Sequence, residues 1–528
     1  MQKNLVLAVA LSSLVYIFWY SYVEKKPPAA PAASRAASEV YQQAAQPPAP
    51  SSAYRQAENP QNTPALAADW KKGATAVKIG RAQYFMHPAG ASIKSLIYEG
   101  PVSPIELVLS PASGMFSSFE DLAFSARGGK TAAPEFFAAT KQGITISKKF
   151  ALNGPDKINS LIITAANPTG RAAELSGWTL SIGPGLGTVK SAEKDNAKLT
   201  KAQYTYQEQG KKHPTIKTLK EDTQCGPWVW AGIDNGYFMT TVLGGDFERG
   251  RLLFSQTDTD GNKIPRLAIP FGATVLAPGQ TRTWKFDFYA GPKDLELLKK
   301  LGGGLDRAVD FGFFAPLAKL ANSALSYFYR LTGNYGVAII ILSVLIQLLL
   351  SPLSIKSYKS MALMKKIQPE MQEIQRRYKE DPKRMNQEVM DLYKRHGTNP
   401  LGGCLPMLLQ IPVFFALFTA LSNSWNLHGA PFVFWIKDLS APEHLWDIQV
   451  SSYTVSLRLL PLIMGVIMFL QQKVNPQTGD PAQAKVMQWM PVLFTFMFWG
   501  FPSGLVMYWL INSIWGFAQT MYLQKKMC

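Results

Sequence analysis

Between Gly333 and Met364 the sequence reads GNYGVAIIILSVLIQLLLSPLSIKSYKSMALM. Its first part, Tyr335 to Leu353, is an apolar run long enough to cross about 30 Å of hydrocarbon as a helix. Lipid is its expected surroundings. The polar side chains within it, Ser343, Gln347 and Ser351, are four residues apart each time, so on a helix they share one face. That face should turn away from lipid. After Pro352 the chain becomes basic, with Lys356, Lys359, Lys365 and Lys366, and such a flank marks the cytoplasmic end of a span. The span is therefore expected to run from outside to inside.

The chain has 528 residues, room for several domains. Its mean hydropathy near zero conceals a polar first part and an apolar last part. The formal net charge of +18 raises the question of nucleic acid, but the Lys and Arg are dispersed and no zinc-finger, RRM or basic-helix motif accompanies them. No nucleic acid is expected to be read directly. A membrane surface or a ribosome fits the charge better. Cys225, Cys404 and Cys528 follow no metal-ligand or disulfide spacing, and His87, His213, His396, His428 and His444 are scattered, without an HExxH or a triad spacing. Neither redox chemistry nor a metal site is expected, and the histidines read as surface or loop residues.

Leu5 to Val23 is a second apolar run, flanked by Lys3, Glu24, Lys25 and Lys26. Its aromatic end, Tyr16 to Tyr22, suits a membrane interface better than a signal-peptide cleavage region, so residues 1–24 are expected to be an uncleaved anchor. Residues 25–72, rich in Pro, Ala, Gln and Ser, lack the apolar content to offset ordering entropy and read as a flexible linker. From 73 to 292 short alternating runs such as GITISKKFALNGPDK and TRTWKFDFYAGP are broken by turn residues, which predicts a large antiparallel β-sandwich outside the membrane. The glycines of GPGLG, Gly183 to Gly187, belong to that β setting, since no Walker lysine follows them. In 293–332, Leu317, Leu320, Ala324, Leu325 and Phe328 at helical spacing fit an interfacial helix, or else a soluble packing helix.

Residues 355–398 are too polar to span. Met361, Met364, Ile367, Met371, Ile374 and Tyr378 give one amphipathic helix with an irregularity at Pro369. Asp381 and Pro382 start a second helix, continued by Met385, Val389, Leu392 and His396. An antiparallel hairpin results, with eleven Lys/Arg against six Asp/Glu, so it belongs inside; a solvated connector is the plainer alternative. Its candidate residues are Met371 and Ile374 in the seam and Arg376, Arg377, Lys383 and Arg384 among the charges. Four more apolar segments follow at about Leu401–Leu421, Tyr453–Gln472, Val486–Phe501 and Ser503–Leu523, with a tight turn at Phe501 to Gly504. The loop from Trp425 to Ser451 is poor in Lys and Arg and belongs outside, whereas Lys473 to Lys485 and the tail with Lys525 and Lys526 belong inside. The fold class is then a polytopic α-helical membrane protein of six transmembrane helices, five of them a core over 333–528, plus the antiparallel β-sandwich. Both termini are expected in the cytoplasm.

With that topology the depth of each polar side chain follows at about 1.5 Å per residue. Gln410, Gln471, Gln472, Gln488 and Gln519 fall in the cytoplasmic half or its border, and Gln347 and Asn512 near the middle, while the outer halves are Phe, Trp, Leu, Ile and Val. Trp509, Asn512, Gly516 and Gln519 share a face of the last helix. Polar residues at depth must face one another or water. Interhelical glue is one reading. The one-sidedness favours the other, a wet concavity open to the cytoplasm and closed outside. Arg458, near the outer end of its helix, can reach water along its stem.

These residues resemble a known family, the YidC-type membrane protein insertases of the Oxa superfamily, in the Gram-negative form with a large periplasmic domain. The resemblance is carried by GNYGVAIII at Gly333, NPLGGCLPMLLQIPVFFAL from Asn399, LLPLIMGVIMFLQQK from Leu459 and MPVLFTFMFWGFPSGLVMYW from Met490. It implies a protein that inserts newly made proteins into the bacterial inner membrane, alone or beside the Sec translocon, without cofactor or catalytic chemistry. The implied partners are nascent inner-membrane proteins, the ribosome, the Sec translocon and membrane lipids. By position in the motifs Gln347 stands where many relatives have arginine, and Gln472 and Trp509 stand beside it in the groove. A neutral amide there removes the expected attraction for acidic client tails and leaves the hydration. No long basic ribosome-binding extension is expected after Lys526. Two rival functions are a small-molecule transporter, which would call for inverted repeats and binding groups at the midplane, and an outer-face assembly factor whose β-domain is the working part.

Overall fold

The computed structural model describes residues 70–527 except 111–113, 128–132, 211–212, 225–226, 245–249, 260–261, 398–404, 451–452 and 475–480. The expected anchor at 1–24, nearly all of the linker at 25–72, and Cys225, Cys404 and Cys528 lie outside the described residues. The described residues belong to one compact unit.

The alternating runs form strands, every pair antiparallel. A nine-stranded sheet takes the spatial order Thr215–Thr218, Lys201–Tyr206, Trp228–Asp234, Phe238–Leu243, Thr281–Pro292, Asn159–Ala166, Thr145–Ala151, Glu135–Ala139, Ser125–Arg127. A four-stranded sheet of Trp178–Pro184, Asn262–Phe271, Arg251–Thr259 and Thr223–Gln224 packs on it. Trp178 shows how. It stacks on Phe271 of its own sheet at 4.2 Å and meets Trp284 and Phe286 of the long sheet edge-on at 5.4 and 6.4 Å. Inward-facing large side chains at every second position make this core, as period-two patterning requires. A further sheet of Thr75–Ile79, Ala82–His87, Ser92–Glu99 and Pro104–Glu106 shares the same core.

Nine helices labelled here follow. The first is α1 (Leu295–Leu301), capped by Asp294, whose Oδ1 accepts from the Leu297 N–H at 2.8 Å. Next come α2 (Ala315–Thr332), α3 (Tyr335–Lys366), α4 (Gln368–Arg377) and α5 (Pro382–Arg395). The last four are α6 (Leu405–Ser422), α7 (Leu459–Val474), α8 (Pro481–Met497) and α9 (Ser503–Met527). Among the described residues only α3 is both long and apolar enough to cross a membrane by composition alone; α6 and α7 contain shorter apolar helices.

Several boundaries differ from the sequence expectation. α3 does not end near Leu353 but runs through Pro352 to Lys366 as 32 residues. Proline removes one donor and does not forbid a helix held by neighbours. The hairpin is consequently α4 with α5, and Met361 and Met364 lie on α3 rather than in its seam. The apolar segment assigned to Tyr453–Gln472 is divided: Tyr453–Leu457 pairs as a strand with Trp446–Val450, and the helix starts only at Leu459. Tyr, Thr and Val in alternation favour that strand. On α2 the packed face is Ala318, Ala321 and Leu325, whereas Leu317 and Leu320 are 37% and 66% exposed, so the predicted spacing spreads over both the packed and the outer face.

Candidate functional site

Gly333 and Asn334 decide where α3 begins. Gly333 closes α2 in the left-handed region, φ 67°, its N–H donating to the Tyr329 carbonyl at 2.7 Å. The Asn334 carboxamide caps α3, accepting from the Gly336 and Val337 N–H groups at 2.8 and 3.2 Å, and donates to the Phe432 carbonyl at 3.1 Å. A Cβ on Gly336 would lie 2.1 Å from the Phe432 ring, so only glycine lets that loop rest on the helix.

α3 and α9 pack together, and their facing sides are polar. Ser343 is fully buried with its hydroxyl donating to the Ile339 carbonyl at 2.6 Å, Gln347 is 8% exposed, and the Gln519 amide donates to Ser351 at 2.8 Å. Asn512, buried on α9, has no hydrogen-bond partner for either amide atom. The face of Ser343, Gln347 and Ser351 is thus a helix seam, as its spacing predicts.

A separate cavity of about 360 Å³ lies between α6, α7, α8 and α9. Gln410, Gln471, Gln472 and Trp509 line it with Phe414 and Phe494. The Gln472 Oε1 is buried without a donor. Gly516 of α9 makes room for Gln471, whose Nε2 would be 2.4 Å from an added Cβ. The structure therefore divides the predicted groove. Gln410, Gln472 and Trp509 share the cavity; Gln347, Asn512 and Gln519 belong to the α3–α9 side. Between them the Tyr508 hydroxyl lies beside both Asn512 and Gln410, without a regular hydrogen bond to either. Gln488 is exposed and joins neither group.

Aromatic rings pack together beside the cavity. Trp509 meets Phe414, Phe498 and Phe494 at 5.2, 5.1 and 5.6 Å, and Phe501 joins Phe498 at 5.1 Å and Phe418 at 5.8 Å.

The loop from α6 to α7 holds residues that sequence reasoning missed. Trp425 inserts into the sandwich core, 4.9 Å from Phe238 and 5.6 Å from Tyr98. His428, read as a surface or loop residue, is on a loop yet 8% exposed, its Nδ1 3.3 Å from Ser440 Oγ and 3.5 Å from Asp438. Burial lowers its pKa, against the pull of Asp438. Glu443 accepts from the Trp435 indole and from the Leu460 N–H at the start of α7; burial raises its pKa. Arg458 precedes α7, half-buried, with its Nε buried without a partner. Only the position of Trp425 after an apolar run hinted at any of this.

In the hairpin, Met371 and Ile374 meet Ile367, Val389, Leu392 and Tyr393. The Asp381 carboxylate caps α5 from the Arg384 N–H at 3.1 Å. Arg376, Arg377, Lys383 and Arg384 are exposed, Arg377 paired with Glu373 at 3.2 Å and Arg384 over the Tyr378 ring.

The 60Kd inner membrane protein family matches residues 327–528, and the YidC periplasmic domain family matches residues 107–321. A membrane protein insertase YidC of Pelobacter propionicus is 35% identical over 99% of both chains. That of Syntrophus aciditrophicus is 33% identical over 100% of both, and that of Endomicrobium trichonymphae 39% identical over 80% of this chain and 79% of its own. A crystal structure of an active YidC insertase with its first transmembrane domain resolved covers 85% of this chain and 94% of its own, at 16% identity and a TM-score of 0.39.

Proposed function

Because the chain belongs to the YidC family of membrane protein insertases, with a periplasmic β-sandwich and a helical C-terminal region, we propose that it inserts membrane proteins through a hydrated concavity formed by α3 and α6 to α9. The observation that carries this is the cavity of about 360 Å³, in which three glutamines stand among apolar side chains such as Ile411, Met468, Met490 and Phe494. A polar flank of the client enters among Gln410, Gln472 and Trp509; Gln347, Asn512 and Gln519 keep the adjoining seam wet; the apolar segment leaves sideways into lipid. No bond is made or broken, so the protein acts as a chaperone and not an enzyme.

In this reading α3, α6, α7, α8 and α9 are the five core spans and 1–24 is a sixth. The domain partition is 25–72 linker, 73–292 periplasmic domain, 293–332 surface region, and 333–528 core with the hairpin inside it. The hairpin and both termini are cytoplasmic, and the basic residues of α4 and α5 face the ribosome or the Sec translocon.

The test is insertion of one polar-tailed, single-span client by Gln410→Leu with Gln472→Leu, at matched protein levels. Insertion should slow while an all-apolar client is spared. Equal rates for both clients would make the amides helix glue.

A further inference from the structure

A cleft of about 840 Å³ lies between the edge of the long sheet and the start of α2 and shares no lining residue with the cavity between α6 and α9. The sheet side contributes Lys201, Asp234 and Lys293; the helical side contributes Arg307, Asp310 and Lys319. Lys293 is already satisfied. Its Nζ, buried, donates to Asp234 Oδ2 at 2.6 Å and to the Asn235 carbonyl at 2.8 Å. Lys201, Arg307 and Lys319 form no ion pair among the described residues, although Lys319 sits 6.0 Å over the Phe311 ring. Asp310 turns one oxygen to the Gly312 N–H at 2.8 Å. Unpaired cations therefore outnumber the carboxylates left to answer them. Asp234, only 5% exposed, keeps its Oδ1 without a donor.

The helix beneath explains what could bring an anion here. Ala315 and Lys319 line the cleft, one turn apart, while Leu317, Leu320 and Leu331 project from roughly the opposite side of α2 and are 37%, 66% and 67% exposed. Phe313, 65% exposed, precedes the helix. One helix thus carries a cationic cleft on the side turned to the β-domain and a bare apolar strip on the other, the order of charge and hydrocarbon in one leaflet. The N-terminus of α2 also has no side-chain cap, so its dipole adds to the positive field.

We propose that this cleft binds the phosphate of a membrane phospholipid headgroup through Lys201, Arg307 and Lys319, with the acyl chains running past the apolar strip of α2. The inference rests on the reading of α2 as a helix at the outer membrane surface.

The experiment uses the full-length protein, stripped of lipid in detergent and offered phosphatidylethanolamine, phosphatidylglycerol or phosphatidylcholine, with retained lipid read by native mass spectrometry. All three lipids carry the phosphate and should be retained. Arg307→Gln with Lys319→Gln should lower retention by about tenfold or more through loss of charge-assisted bonds, and Arg307→Lys with Lys319→Arg should largely keep it. Unchanged retention in the glutamine variant, at an unchanged melting temperature, would overturn the proposal. So would equally tight binding of soluble glycerol phosphate, which would make the cleft a free-anion site, or crosslinking of position 319 to a client's acidic flank in place of lipid. A spin label at Leu320→Cys, with Cys225, Cys404 and Cys528 replaced by Ser, separates the premise. A water-exposed label removes both readings; a lipid-embedded label with no lipid retained removes this one alone.

Discussion

Asn235 in the β-sandwich and Asn512 in the helical bundle are the same side chain, 2% and 8% exposed, in opposite circumstances. Asn235 donates to the Leu186 and Gly187 carbonyls and to Asn196 Oδ1 at 3.2, 2.9 and 3.0 Å, and accepts from the Tyr237 and Phe238 N–H groups at 3.0 and 2.9 Å. Asn512 has no partner. An unpaired buried amide costs about 1 to 3 kcal/mol, so folding alone gives no reason to keep one. The β-domain uses its buried amides to tie turns. The bundle keeps one that lies beside the Tyr508 hydroxyl without a regular hydrogen bond.

The sharpest way to break this contrast is to remove both side chains. Asn235→Ala should lower stability by about 3 kcal/mol or more, because several buried backbone groups lose their partners. Asn512→Leu should change it by less than about 1 kcal/mol while slowing insertion of a polar-tailed client. Chemical unfolding of the intact protein followed by tryptophan fluorescence compares them, and equal losses would dissolve the distinction. The hairpin offers a control in which packing is complete: Met371→Asp with Ile374→Asp should unfold α4 against α5 and stop insertion, and normal insertion would reduce that pair to a connector.

Gln347 sharpens the contrast within the bundle. Gln347→Leu should slow polar-tailed clients several-fold by drying the seam with Asn512, and Gln347→Arg should be tolerated if water reaches it. A fully active leucine variant beside an inactive arginine variant would show a tight helix interface instead.

The smallest effect is a pH dependence at the loop joining the two regions. His428 is held neutral by burial, with Asp438 and Tyr237 facing it. The folded state binds fewer protons there than the unfolded chain, so this contribution is present above about pH 6.5 and declines as pH falls below it. His428→Gln should flatten that limb of the stability profile; an unaltered limb would assign it to other groups.

Apolar run length located all five C-terminal helices, and strict alternation located the sandwich, because these patterns record burial that every member of an element shares. The spacing of Trp509, Asn512, Gly516 and Gln519 likewise placed them on one face. What each meets was not legible. Across that single face Trp509 finds aromatic rings, Gly516 finds Gln471 and Gln519 finds Ser351, a choice made by helices distant in sequence. Tyr453–Leu457 was read as helix since hydropathy ignores the partner strand, and Trp425 was invisible because its core belongs to another domain.

The continuity of α3 through Pro352 gives the protein a lever. The stretch from Pro352 to Lys366 is about 20 Å of rigid arm, with α4 and α5 at its tip and Ser351, held by Gln519, at its root. Proline leaves one rung of the helix unbonded there, the usual place for a helix to flex. A bend of about ten degrees at that rung moves the tip by roughly 4 Å over this arm, so a load arriving on the hairpin and the polar contact at Ser351 become two ends of one mechanical part.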